Sequence, residues 1–100
     1  MTQREFENKK WRIGQKVYVI YVNADKSEKR RYFLHEGTVS SICIIMTKTR
    51  TFVDSVTAEF EDWHSRFYSY GCNHYQFIFT NKKDAGKALR EFKKKYENGL

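Results

Sequence analysis

The chain has 100 residues, which allows one domain with one core and excludes two. Nineteen basic against twelve acidic side chains give a formal charge of +7, and 17% of the residues are aromatic, a composition that excludes a disordered polar chain. No window approaches the ~18 apolar residues of a membrane span.

The first fourteen residues mix charge with two rings, Phe6 and Trp11. Thr2 and Glu5 have the spacing of a capping box, which allows a short helical turn. Trp11 and Ile13 are expected to tuck against the edge of the fold, and Gly14 punctuates the entry to the first strand. Lys16-Val-Tyr-Val-Ile-Tyr-Val22 reads as that strand, with β-branched or aromatic residues on both faces. The charged stretch Asn23 to Arg31 connects it to a second strand region, Tyr32 to Met46. Glu36-Gly37 divides this region, and the glycine suggests a bulge or sharp bend. Thr38 to Met46 is the densest apolar run of the chain, so Cys43 is expected as a core thiol.

Phe52 to Phe60 alternates, with Phe52, Asp54, Val56, Ala58 and Phe60 on one face. Asp54 breaks the apolar side, which places it at an exposed strand start. Glu61 to Arg66 reads as a polar turn and Phe67 to Tyr70 as a short strand. Gly71 to His74 reads as a turn with a positive φ at the glycine. Tyr75 to Phe79 is the last strand. The spacing then predicts a helix over about 81–96, capped by Thr80 or Asn81, with Asp84 at the third position if Asn81 caps. Ala85, Leu89, Phe92 and Tyr96 form its apolar stripe. Lys83, Lys87, Arg90 and Lys94 lie opposite. Gly86 sits inside the helix, where close backbone packing on the sheet would account for it.

Five antiparallel strands and a C-terminal helix predict a mainly β domain: a small barrel or a strongly bent sheet packed by one amphipathic helix. Its expected organisation is an N-terminal extension (1–14), the β-structure (15–79) and the helix (80–97). The stretches Ile-Gly-Gln-Lys-Val-Tyr-Val (13–19), Glu-Gly-Thr-Val-Ser-Ser-Ile (36–42) and Val-Thr-Ala-Glu-Phe-Glu-Asp (56–62) resemble SH3-like small barrels of the Tudor and KOW type. That resemblance implies a five-stranded SH3-like barrel over residues 13–79. The stretch Phe-Thr-Asn-Lys-Lys-Asp-Ala-Gly-Lys-Ala-Leu (79–89) is similar to endings of small proteins from phages and Gram-positive mobile elements.

Signals for catalysis are sparse. Zinc needs three or four converging ligands, usually in close pairs. Cys72 and His74 give one such pair, and His64 stands apart. The same two residues match no familiar nucleophile spacing. Glu59, Glu61 and Asp62 read as a solvated strand end, and the five glycines form no phosphate loop. No catalytic residue, metal or cofactor is expected. Both cysteines follow a polar N-terminus, so reduced thiols and a cytoplasmic location are expected, in a bacterial host if the chain is phage-encoded.

The charge is uneven. Residues 80–100 hold seven basic and three acidic side chains, whereas 1–79 hold twelve and nine. Lys83, Lys87, Arg90 and Lys94, joined by Lys93 and the Lys29-Arg30-Arg31 loop, form a surface suited to polyanions. Lysine predominates in the helix, which favours charge attraction over bidentate base reading. Tyr68 and Tyr70, two apart on one strand face, are candidates for base stacking or for anchoring a protein. In Tudor-type barrels an aromatic cage occupies a comparable place, and Phe60-Glu-Asp-Trp63 resembles its start. The tyrosine–glycine pair that follows in that motif is absent.

The expected function is therefore a non-enzymatic binding module for nucleic acid or a nucleoprotein complex. The alternative is a phage-type, anti-CRISPR-like inhibitor of a host nuclease or RNA-guided complex. No membrane partner is expected, and an exposed edge strand permits either a monomer or a homodimer.

Overall fold

The computed structural model describes residues 1–22, 31–71 and 73–97. Its elements are α1 (Gln3–Asn8), β1 (Lys16–Val22), β2 (Tyr32–Met46), β3 (Thr51–Glu59), β4 (His64–Tyr68), a 3₁₀ turn (His74–Gln76), β5 (Ile78–Phe79) and α2 (Lys82–Phe92). A π-helical turn, Lys93–Glu97, continues α2. The strands form one antiparallel sheet in the order β4-β3-β2-β1-β5.

The sheet is open, with β4 and β5 as its edges. Closure would need strand length that the last third of the chain does not provide. Asn73 adopts a left-handed φ of 57°, and His74–Gln76 winds into the 3₁₀ turn. Side-chain hydrogen bonds hold that turn. The Tyr68 N–H donates to His74 Nδ1 at 3.2 Å, and the Tyr75 hydroxyl to Asn73 Oδ1 at 3.0 Å. The strand expected over Tyr75–Phe79 is thus cut to two residues. β4 begins three residues earlier than expected, because the Phe60 N–H bonds back to the Trp63 carbonyl at 2.7 Å and closes a tight turn after β3. The sheet still curls enough for β1 and β4, which are not neighbours, to line one cavity.

Both faces of the β1–β2 hairpin are covered, as the two-sided apolar pattern of β1 implies. The cross-strand pairs Val17–Gly37, Val19–His35 and Tyr21–Phe33 share one face. Phe60 and Trp63 lie across it, with contacts to Tyr21 and His35. Ile20 and Tyr32 belong to the other, where Phe92 of α2 stacks on Tyr32 at 5.4 Å. Gly37 is not a bend: β2 runs straight through it, paired with Val17. Its role is steric. A Cβ there would stand 2.7 Å from Phe60 Cε1 and 2.9 Å from the Glu59 carbonyl oxygen.

The irregularities fall further along. Ser40 is an extra residue in β2, and Asp54 an extra residue in β3. The second bulge changes which side chains of β3 face inward. Val53 and Ser55 are buried before the chain reaches Val56 and Ala58. Asp54 therefore lies mid-strand and half-buried rather than at an exposed start, with Oδ1 enclosed and without a partner among the described residues.

The core collects Phe6, Trp11, Val17, Val19, Val39, Val53, Val56, Ala58, Phe67 and Ile78. The first residues are part of it. Thr2 and Glu5 close the expected capping box at 3.2 Å in both directions, and Phe6 and Trp11 are buried. Ile13 instead points outward, 64% exposed. Cys43 is also exposed, against the expectation of a core thiol. The apolar run that holds it extends past the core as a two-stranded ribbon of β2 and β3, leaving Ile44 and Met46 in solvent.

α2 is capped by Asn81, whose Oδ1 accepts from the Lys83 and Asp84 amides at 2.8 and 3.3 Å. Ala85 is buried, and Leu89, Phe92 and Tyr96 are half-buried. Gly86 has no tight backbone neighbour: an added Cβ would meet only Arg90 Nη1, at 3.8 Å. Close packing does not account for this glycine. Gly86→Ala should therefore raise the unfolding free energy by up to ~1 kcal/mol through helix propensity, measured by urea denaturation.

Candidate binding surfaces

The basic stripe follows from how α2 docks. With Ala85, Leu89 and Phe92 turned to the sheet, helical spacing sends Lys83, Lys87, Arg90 and Lys94 outward, and all four are exposed. Lys93 is exposed beside them. None of the five takes part in an ion pair among the described residues, where the two salt bridges are Lys16–Glu36 and Arg50–Glu7. Arg31 is exposed and precedes Tyr32, whose ring contacts Phe92 and Tyr96 at 5.4 and 5.8 Å. The start of β2 thus lies against the end of the basic helix. Lys29 and Arg30 lie outside the described residues.

Tyr68 and Tyr70 are elsewhere. Alternation through β4 and just beyond it turns Phe67 and Ser69 inward and leaves Tyr68 half-buried and Tyr70 59% exposed. The two tyrosines belong to the β4 edge, whereas α2 packs chiefly on β1, β2 and β5. Tyr68 is also engaged, its ring 5.9 Å from that of His74. The basic helix and the tyrosine pair are two surfaces.

Sequence spacing reveals only part of a third feature. Tyr21, His35, Phe60 and Trp63 form one ring cluster drawn from β1, β2 and the β3–β4 turn. Phe60 and Trp63 stack at 4.0 Å with 10° between planes, and Tyr21 meets Trp63 edge-on at 4.8 Å. A cage for a methylated cation needs rings held apart around a gap. Here the rings fill the gap themselves, and Trp63 stays 37% exposed as the outer wall. Phe60 and Trp63 are visible in the sequence as neighbours, but Tyr21 and His35 join them only through strand pairing.

Tyr21 also lines a cavity of about 200 Å³ between β1, β4 and the 3₁₀ turn, together with Val19, Ile20, Val22, Ser65, Phe67, His74 and Phe77. The Tyr21 Oη is enclosed without a hydrogen-bond partner among the described residues. Burial raises the Tyr21 phenol above its ordinary value, and Ser65 beside it works in the opposite direction without meeting hydrogen-bond geometry.

The histidine and cysteine side chains suited to chemistry do not converge among the described residues. His74 Nδ1 is occupied by the Tyr68 amide, His64 is exposed at the start of β4, and Cys72 lies outside the described residues. Among the described residues no three His, Cys, Asp or Glu side chains are placed to share a metal ion. Among the described residues no helix is long and apolar enough to cross a membrane. No protein-family model, curated protein or solved structure matches the chain.

Proposed function

We propose that this protein is a non-enzymatic binding module that uses α2 and the adjoining start of β2 to hold nucleic acid by its phosphates. The observation that carries this reading is the row Lys83, Lys87, Arg90 and Lys94, exposed together and free of acidic partners among the described residues. Surface cations without carboxylate partners keep their full attraction for a polyanion. The strand order β5-β1-β2-β3-β4, with a 3₁₀ turn before β5, supports the accompanying reading of an SH3-like small domain. Such folds host many functions, so the reading rests on the charged surface and not on the fold.

The test is binding to duplex DNA, single-stranded DNA and structured RNA across a salt series. Binding should weaken steeply with salt and depend little on sequence. Converting Lys83, Lys87, Arg90 and Lys94 to glutamate should reduce affinity by at least about 100-fold at low salt. All four sites are exposed, so the circular dichroism spectrum should be unchanged. Absence of binding at low salt, or affinity unaltered in the quadruple variant, would reject the proposal. A protein partner captured from lysate and retained after nuclease treatment would instead favour the inhibitor reading.

A further inference from the structure

The ribbon at the far end of β2 has an unpaired edge. β1 pairs with β2 only as far as Thr38, and the last bonds on that side join Val39 to Gly14 and Gln15. Beyond Val39, no described strand pairs with β2 on the side away from β3. The bulge at Ser40 is past, and the later irregularity has its extra residue in β3, so β2 is regular from Ser41 to Met46. The Thr47 N–H turns toward the Arg50 carbonyl at 2.8 Å. Strand alternation from there aims the backbone groups of Ile42, Ile44 and Met46 outward, away from β3.

From Ser41 to Met46 this edge has none of the usual protections. Natural edges carry charge, proline or extra bulges. Thr38 to Thr47 contains no charged residue and no proline. Ile44 is 57% and Met46 79% exposed.

We infer that Ser41–Met46 is a homodimer interface, in which the edges of two copies pair antiparallel and join their sheets. Two facts select a second copy as occupant. The segment is uncharged, so it can lie against itself without like charges meeting. The basic helix is also packed at the opposite end of β2, where Phe92 stacks on Tyr32. Two molecules of charge +7 joined through Ser41–Met46 keep their helices many screening lengths of ~8–10 Å apart. A two-fold axis perpendicular to the sheet pairs residues of the same face. The register centred in the free segment sets Cys43 opposite Cys43 of the other copy and Ile42 opposite Ile44. Each exposed Ile44 then gains an apolar cross-strand neighbour.

Sedimentation velocity of the full chain over a concentration series, at about 0.5 M salt to remove bridging polyanions, tests this. A monomer–dimer equilibrium is expected. Ile44→Lys places a charge twice in the symmetric interface and should weaken the dimer by at least about tenfold. Because Ile44 is exposed, that variant should keep the wild-type spectrum. In a Cys72→Ser background, mild oxidation should give a reducible dimer linked through Cys43. A chain that stays monomeric throughout, including one that pairs this edge only with an added peptide, would overturn the inference. So would a dimer that neither Ile44→Lys weakens nor Cys43 cross-links.

Discussion

Phe6→Ala should lower the unfolding free energy by about 3–5 kcal/mol, a large part of the 5–15 kcal/mol typical of a domain. Phe6 has no solvent exposure. Its ring meets that of Trp11 at 5.2 Å, and its carbonyl accepts the Trp11 indole N–H at 2.9 Å. The contacts around it are long-range. α1 packs on β3, Glu7 pairs with Arg50 at 3.3 Å, and the amine of Met1 donates to the Tyr75 carbonyl. Loss of the ring would leave a cavity bounded by strands that pair with one another and cannot collapse onto it. Ile13→Ala is the control from the same segment: its side chain is mostly in water, and the effect should stay within about 0.5 kcal/mol. Chemical denaturation of both variants gives the comparison. A loss below about 1 kcal/mol for Phe6→Ala would mean that the first turn is not part of the core.

Gly37→Ala should destabilise by about 1–3 kcal/mol, the range for overpacking a filled site. One obstacle, the Phe60 ring, can rotate. The other, the Glu59 carbonyl at 2.9 Å, belongs to a residue paired with Thr38 and cannot withdraw without disturbing the β2–β3 register. Phe60 stacks on Trp63, so the added methyl should also displace the indole and raise its accessibility to acrylamide, read in a Trp11→Phe background. Combining Gly37→Ala with Phe60→Ala should give less than the sum of the two losses, because the second change removes the ring that the first one strikes. Strict additivity would show that the ring and the glycine are not in contact.

These two residues also mark where the sequence was and was not legible. Gly37 stands out between apolar runs, and its position suggests a bend. Its true constraint comes from a ring 23 positions later, which no local pattern announces. Phe6 sits in a polar, highly charged stretch whose composition reads as periphery. Only burial against β3 and Trp11 makes it core. Tyr21 and His35 joined the Phe60–Trp63 pair for the same reason, since strand register decides which distant rings meet. The basic helix face needed none of this. Its period is local, and a helix that docks by Ala85 and Phe92 must expose the side that carries Lys87 and Arg90.

Properties that follow from neighbours along the chain are legible in the residues themselves. Those are a mainly β chain ending in a capped amphipathic helix, the Thr2–Glu5 cap, the first strand with its two apolar faces, and the concentration of positive charge near the end. Tertiary structure alone decided the properties that depend on pairing across distance. Bulges at Ser40 and Asp54 reset which side chains of β2 and β3 face inward. A turn held by His74 and Asn73 shortened β5, so the sheet stays open. The apolar run from Thr38 to Met46 shows the division most clearly. Its hydrophobicity says that it must be a strand, but whether it is buried depends on how far β1 extends beside it. β1 stops pairing at Thr38, and that leaves Cys43, Ile44 and Met46 at the surface.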